Sequence, residues 1–206
     1  MPDNFTFTAA DLQLISDAKT KGGDIWADKT LDTIKGRIKD HYLAKTDEQC
    51  CYCRKNFTGE FRFVIDIEHV LPKSQYPDLI FELINLSVSC KRCNMNIKRE
   101  DTTFLIDPVG VVNRIRDAAQ YLFSHPNLDD YFQHMSYLTQ SVNSKKSIKY
   151  LPLTNKGNFT YTFFRLNQLE INTLNVAQGI AVAASDLSEN IPPILVNDIE
   201  DLLAQL

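Results

Sequence analysis

The chain has 206 residues, 44% of them apolar and 23% charged, with seven glycines and eight prolines; at ~100 to 200 residues per domain this predicts one domain with a buried core. That balance excludes collagen-like, low-complexity and wholly disordered chains, and no apolar run approaches the ~20 residues that span a bilayer. The net charge of -4 weighs against a polyanionic partner, since phosphate binders usually carry a basic surplus. Met1-Pro2-Asp3-Asn4 lacks the basic flank and apolar stretch of a secretory leader, so a cytoplasmic location is expected. In a reducing compartment five cysteines serve more often as metal ligands or reactive thiols than as disulfides.

Thr8 followed by Asp11 fits a capping box, and Leu12, Ile15 and Ala18 recur at helical spacing until Gly22-Gly23. Leu31, Ile34, Ile38 and Tyr42 form the core stripe of a second helix over about 28–44. Two C-x-x-C knuckles follow, Cys50 with Cys53 and Cys90 with Cys93, separated by 36 residues. Two residues between cysteines let a tight turn aim both thiolates at one ion, and two such turns complete the all-sulfur tetrahedron that structural zinc prefers. Cys51 is left over and reads as a small buried hydrophobe. A redox dithiol explains one pair only.

Between the knuckles, Phe61, Phe63, Ile65 and Ile67 alternate with Arg62, Val64, Asp66 and Glu68, the period of a half-buried strand with its polar side chains on one face. It delivers Glu68 and His69, and Pro72 closes it. After a loop through Tyr76-Pro77, residues 85–89 read as a second strand entering the second knuckle, and 91–100 as a short basic helix carrying Asn94. Beyond the knuckles, helices are expected over 111–124, 128–141, 160–185 and 196–206, with 144–158 as loop. The fold class is α+β: a mostly helical domain around a small ββα-metal centre stapled by zinc, with segments 1–49, 50–107 and 108–206 forming one continuous domain.

Cys50-x-x-Cys53, Glu68-His69 with Pro72-Lys73, Asn85-Leu86 and Cys90-x-x-Cys93-Asn94 resemble, in order and spacing, the HNH nuclease superfamily with its ββα-metal fold. The resemblance covers the 58 residues from Cys50 to Asp107. Glu-His-x-x-Pro-Lys-Ser, the loop Tyr-Pro, Cys-Asn and Leu-Ile-Asp-Pro at 105–108 are similar to a narrower group, the small HNH nucleases of Septu-type and retron-associated anti-phage systems. The resemblance implies a metal-dependent endonuclease acting on DNA, with Asn85 holding the loop near His69 and a separate ATPase partner restraining the nuclease. The chain itself has no G-x-x-x-x-G-K-[ST] phosphate loop.

The residue chemistry agrees with that implication. An imidazole with a pKa of ~6.5 accepts a proton from water at neutral pH, which suits His69 as general base. Glu68 and Asn94 offer oxygen ligands for a catalytic Mg²⁺ or Mn²⁺. Lys73, Arg92, Lys98 and Arg99 are candidate phosphate contacts, and Lys145, Lys146 and Lys149 form a second patch. His41, His125 and His134 read as structural. From Cys50 to Arg99 there are eight basic residues against five acidic, whereas Gly157 to Leu206 carries one against six. The acidity lies away from the candidate site, and the tail's acidic face reads as a partner surface. The competing reading is a non-catalytic zinc-stapled module that binds nucleic acid or protein; an RNA nuclease is a further one.

Overall fold

In a computed structural model, residues 5–143 and 145–173 are described. Helix α1 (Ala9–Lys21) starts with the expected box: the Asp11 N–H donates to the Thr8 hydroxyl and the Thr8 N–H to the Asp11 carboxylate. The helix presents Asp11, Ile15 and Ala18 to the interior, while Leu12 is exposed. The reason is a bidentate ion pair, both Arg37 nitrogens lying 2.9 Å from the Asp11 carboxylate, which turns the Asp11 side of α1 toward α2. Helix α2 (Asp32–Lys45) buries Ile34, Ile38 and Tyr42, with Leu31 just before it.

That stripe packs against an antiparallel pair, β1 (Ile65–His69) and β2 (Leu86–Cys90), in which Ile65 faces Cys90 and His69 faces Leu86. The strand begins later than its alternation predicts. Residues 62–64 wind as a 3₁₀ turn, and Phe61 and Phe63 are each 82% exposed. A seven-residue π-helix (Arg92–Lys98) follows β2 directly, so strand, strand and helix occur in the expected order.

The downstream region departs from expectation. Residues 111–124 hold only 3₁₀ turns, Gly110–Asn113 and Ala118–Gln120. A single turn α3 (Tyr131–His134) leads into β3 (Met135–Val142), which pairs with β4 (Lys145–Pro152) where a helix end and a loop were expected. Met135 is buried on β3 and Ile148 and Tyr150 on β4, so the strands are fixed by inward-facing side chains at period two. Helix α4 (Asn155–Phe163), capped by Thr154, stops far short of residue 185, and β5 (Ile171–Asn172) joins the second sheet. Residues 164–172, expected to be helical, hold a 3₁₀ turn (Leu166–Leu169) and β5 instead, while 174–185 and the 196–206 helix lie outside the described residues.

The chain divides into two compact units. The described part of one is 5–139 and 148–170, and that of the other is 140–143, 145–147 and 171–173. Within the first unit Tyr52 stacks on Phe164 with ring centroids 4.0 Å apart, and Phe104 packs on Phe123 at 4.3 Å. No helix among the described residues is long and apolar enough to cross a membrane.

Candidate metal centre and adjoining cleft

The first knuckle is a tight turn in which the Arg54 N–H donates to the Cys50 carbonyl and the Cys50 N–H to that of Lys55. Arg54 takes a left-handed conformation to close it. The second knuckle spans the end of β2 and the π-helix. Together they bring the four sulfurs of Cys50, Cys53, Cys90 and Cys93 within 4.8 Å of one another, all four residues buried. Cys53 and Cys90 Sγ are 3.7 Å apart, close to the ~3.8 Å edge of a tetrahedron with ~2.3 Å Zn–S bonds. The donor set therefore fits a structural zinc ion. Cys51 is buried beside it, its N–H bonded to the Val88 carbonyl, and takes no part in the cluster.

His69 lies at the far end of the hairpin from Cys90, ~13 Å along the strand at ~3.3 Å per residue. Just past it Asn85, fully buried, clamps the chain: its Oδ1 accepts from the Leu71 N–H at 2.7 Å, and its Nδ2 donates to the Leu71 and Leu79 carbonyls at 3.2 and 3.1 Å. The Val70 N–H donates to the Asn85 carbonyl as well. These bonds fix the bend that ends β1 immediately after His69. Its Nε2 lies 3.1 Å from the Ile80 carbonyl, which can only accept, so Nε2 carries the hydrogen and Nδ1 keeps its lone pair. Burial pushes the imidazole down to about 4, leaving it neutral at physiological pH. Trp26 packs edge-on, its ring centroid 4.4 Å from that of His69.

His69 opens on a cleft of about 740 Å³ that also receives Asp66, Asn94, Lys73, Lys91 and Arg99. Glu68 does not reach it. The Glu68 carboxylate is 0% exposed, held by the Lys98 ammonium at 2.9 Å, the Tyr52 hydroxyl at 3.1 Å and the Ser89 hydroxyl at 3.3 Å. Two residues along a strand span ~6.6 Å and four along a helix ~6 Å, so the π-helix matches β1 in pairs, Lys98 with Glu68 and Asn94 with Asp66. Asn94 Nδ2 lies 3.1 Å from the Asp66 carboxylate. The acid that faces the cleft beside Asn94 is thus Asp66, a residue that the sequence reading assigned only to the polar face of the strand.

The basic candidates separate in the same way. Lys98 is 1% exposed and also donates to the His69 carbonyl at 2.8 Å, so it is an internal brace and not a surface contact. Arg92 is committed to the carbonyls of Phe164 and Arg165 and to Gln168. Lys73 stays at the cleft rim with a loose contact to Asp24, and Arg99 is exposed there. Of the second patch, Lys149 is paired with Glu170. His41 packs between Phe5 and Tyr42, His125 is buried, and His134 bonds the Thr154 hydroxyl.

No protein-family model matches the chain. A stretch of 84 residues is 32% identical to the Septu protein PtuB of Bacillus thuringiensis, covering 41% of this chain and 30% of that relative.

Proposed function

We propose that this protein is a metal-dependent HNH-type endonuclease that hydrolyses phosphodiester bonds in DNA, and that it serves as the effector of a bacterial anti-phage system. The observation that carries the reading is His69: a neutral imidazole, fixed in one tautomer by the Ile80 carbonyl, in a cleft that an acid and an amide also line. A general base must be unprotonated at working pH and hold its acceptor nitrogen toward the substrate. Burial supports the first, and with Nε2 bonded to the Ile80 carbonyl Nδ1 is the nitrogen left for the second. A structural zinc module needs neither, which disfavours the non-catalytic reading.

A hard divalent ion, Mg²⁺ or Mn²⁺, would take Asp66 and Asn94 oxygens in place of the Glu68 expected from the motif, displacing Lys91 from its 2.9 Å contact with Asp66. Such an ion stabilises charge on the phosphorane and the leaving oxygen. The chain's own residues do the rest: Asn85 holds the bend, Lys98 braces Glu68 and the His69 backbone, His69 Nδ1 takes a proton from water, and Lys73 and Arg99 meet phosphates. Likeness to a Septu protein supports the defence role and a partner protein, for which we propose a separate ATPase; of the acidic tail assigned to a partner surface, 174–206 falls outside the described residues.

The test is cleavage of plasmid, single-stranded DNA and RNA with Mg²⁺ or Mn²⁺, by wild type and His69→Ala, with and without a candidate ATPase. DNA cleavage that the variant loses is expected. Cleavage by the variant at the wild-type rate would refute the assignment of the base.

A further inference from the structure

Among the described residues Phe61 and Phe63 are the most exposed aromatic rings. Both rings are 82% exposed, yet the segment that carries them is held firmly. The Val64 N–H closes its turn on the Phe61 carbonyl at 3.0 Å. Arg62 between them is anchored by Asp40 and by the Gly36 carbonyl, and Lys39 donates to the carbonyls of Arg62 and Ile65 at 3.1 and 2.7 Å. Two rings are therefore presented in fixed positions on a preorganised turn. Phe63 lines the cleft that holds His69, and the Lys91 ammonium stands 5.0 Å from its ring centroid.

An apolar protein surface would be a poor occupant, because docking on these rings would also desolvate the Arg62–Asp40 and Lys91–Asp66 pairs and a cleft lined by seven Lys or Arg against three acids. Unpaired nucleic acid brings flat π-faces for the rings and phosphates for that basic surplus, with Arg99 exposed at the rim. Base stacking on aromatic side chains tolerates any sequence. The geometry points to a base-stacking platform, in which Phe61 and Phe63 hold unpaired bases of a strand whose phosphate lies over His69. The substrate class is thereby single-stranded or locally melted nucleic acid. Only the placement of the scissile phosphate rests on the nuclease reading.

Binding separates the platform from catalysis. A fluorescein-labelled 20-nucleotide oligothymidylate and a labelled 20-base-pair duplex are titrated by anisotropy with full-length His69→Ala protein, without added Mg²⁺ or Mn²⁺. In that background the Phe61→Leu/Phe63→Leu pair should weaken oligothymidylate binding at least tenfold and duplex binding less than twofold. The Phe61→Tyr/Phe63→Tyr pair, which keeps the rings, should bind as the parent does. Unchanged Tm and zinc content certify the folds. Equal loss on both probes, loss below twofold, retention by leucine with loss by tyrosine, or no binding of the single strand by the parent would each overturn the platform. A platform that survives while His69→Ala cleaves normally would locate the error in the assignment of the base alone, and one that survives while the wild type cleaves nothing would locate it in the nuclease reading.

Discussion

Lys98→Met deletes one charge of a fully enclosed pair. The carboxylate of Glu68, 0% exposed, would keep two hydroxyl donors, from Tyr52 and Ser89, and lose its countercharge at 2.9 Å. Breaking a buried pair from one side costs ~3 to 5 kcal/mol, because the surviving charge is stranded. The remaining hydroxyls place the loss at the lower end, and the abandoned His69 carbonyl adds ~1 kcal/mol. The expected total is about 4 kcal/mol, against ~5 to 15 kcal/mol for a whole domain. At ~2 to 4 °C per kcal/mol for a chain of this size, Tm falls by about 8 to 16 °C. Urea unfolding of the zinc-loaded protein measures it, and Glu68→Gln/Lys98→Met should regain at least half of the loss, since no charge is then stranded. A cost under ~1 kcal/mol, or a double variant that loses the sum of the two singles, would refute the brace. A phosphate-binding Lys98 would instead leave stability intact and lower the salt slope of DNA binding by ~1.

Asn85→Ala should destabilise by ~1 to 3 kcal/mol, because it orphans the Leu71 N–H and carbonyl inside the fold; urea unfolding reads this, and the same variant should lose cleavage. Metal analysis should find about one zinc per chain, with the four cluster thiols reacting with a disulfide reagent only after chelation, and Cys53→Ser should unfold the unit. His125 is pushed down to about 3 by burial, so the unfolded chain, with its ordinary histidine pKa of ~6.5, binds the extra proton. Stability from this group is therefore complete above ~6.5 and lost as pH falls toward 3; denaturation midpoints between pH 4 and 7 should show the slope, and His125→Asn should reduce it, leaving the share that buried His69 contributes in the same direction. Cleavage should stay independent of His69 protonation above pH ~5, as its pKa of about 4 requires; an acid limb centred near 6.5 would contradict the burial argument.

Local signals were legible wherever chemistry and spacing coincide. Thr8 and Asp11 cap α1 because the box needs only adjacent residues, and the two C-x-x-C knuckles meet because four thiolates share one geometric solution. Asn85 bonds the backbone of Leu71 and Leu79 because its amide offers a buried bend both an acceptor and donors. The errors arise where neighbours in space decide. Alternation of Phe61 and Phe63 with Arg62 and Val64 mimics a strand, yet Asp40 and Gly36 draw Arg62 into a turn that leaves both rings outside. Residues 135–142 carry Tyr137 and Thr139 at strand period, but their pairing partner lies beyond the turn at 143, and an isolated stretch does not disclose it. Asp66 and Glu68 are equivalent on one strand face until Lys98, one helical turn past Asn94, captures Glu68 and leaves Asp66 to the cleft.

Arg92 gives the second knuckle an obligation to residues far along the chain. Its guanidinium caps the carbonyls of Phe164 and Arg165, while the Tyr150 hydroxyl donates to the Cys53 carbonyl at 2.6 Å and Tyr52 lies flat on Phe164. A fragment cut at Asp107 would keep every cysteine, His69 and Asn94, and would still expose an aromatic wall and strand two charged or polar anchors. The candidate motif here is not a portable cassette. Grafts or truncations that aim to transplant it must carry the chain through at least Gln168.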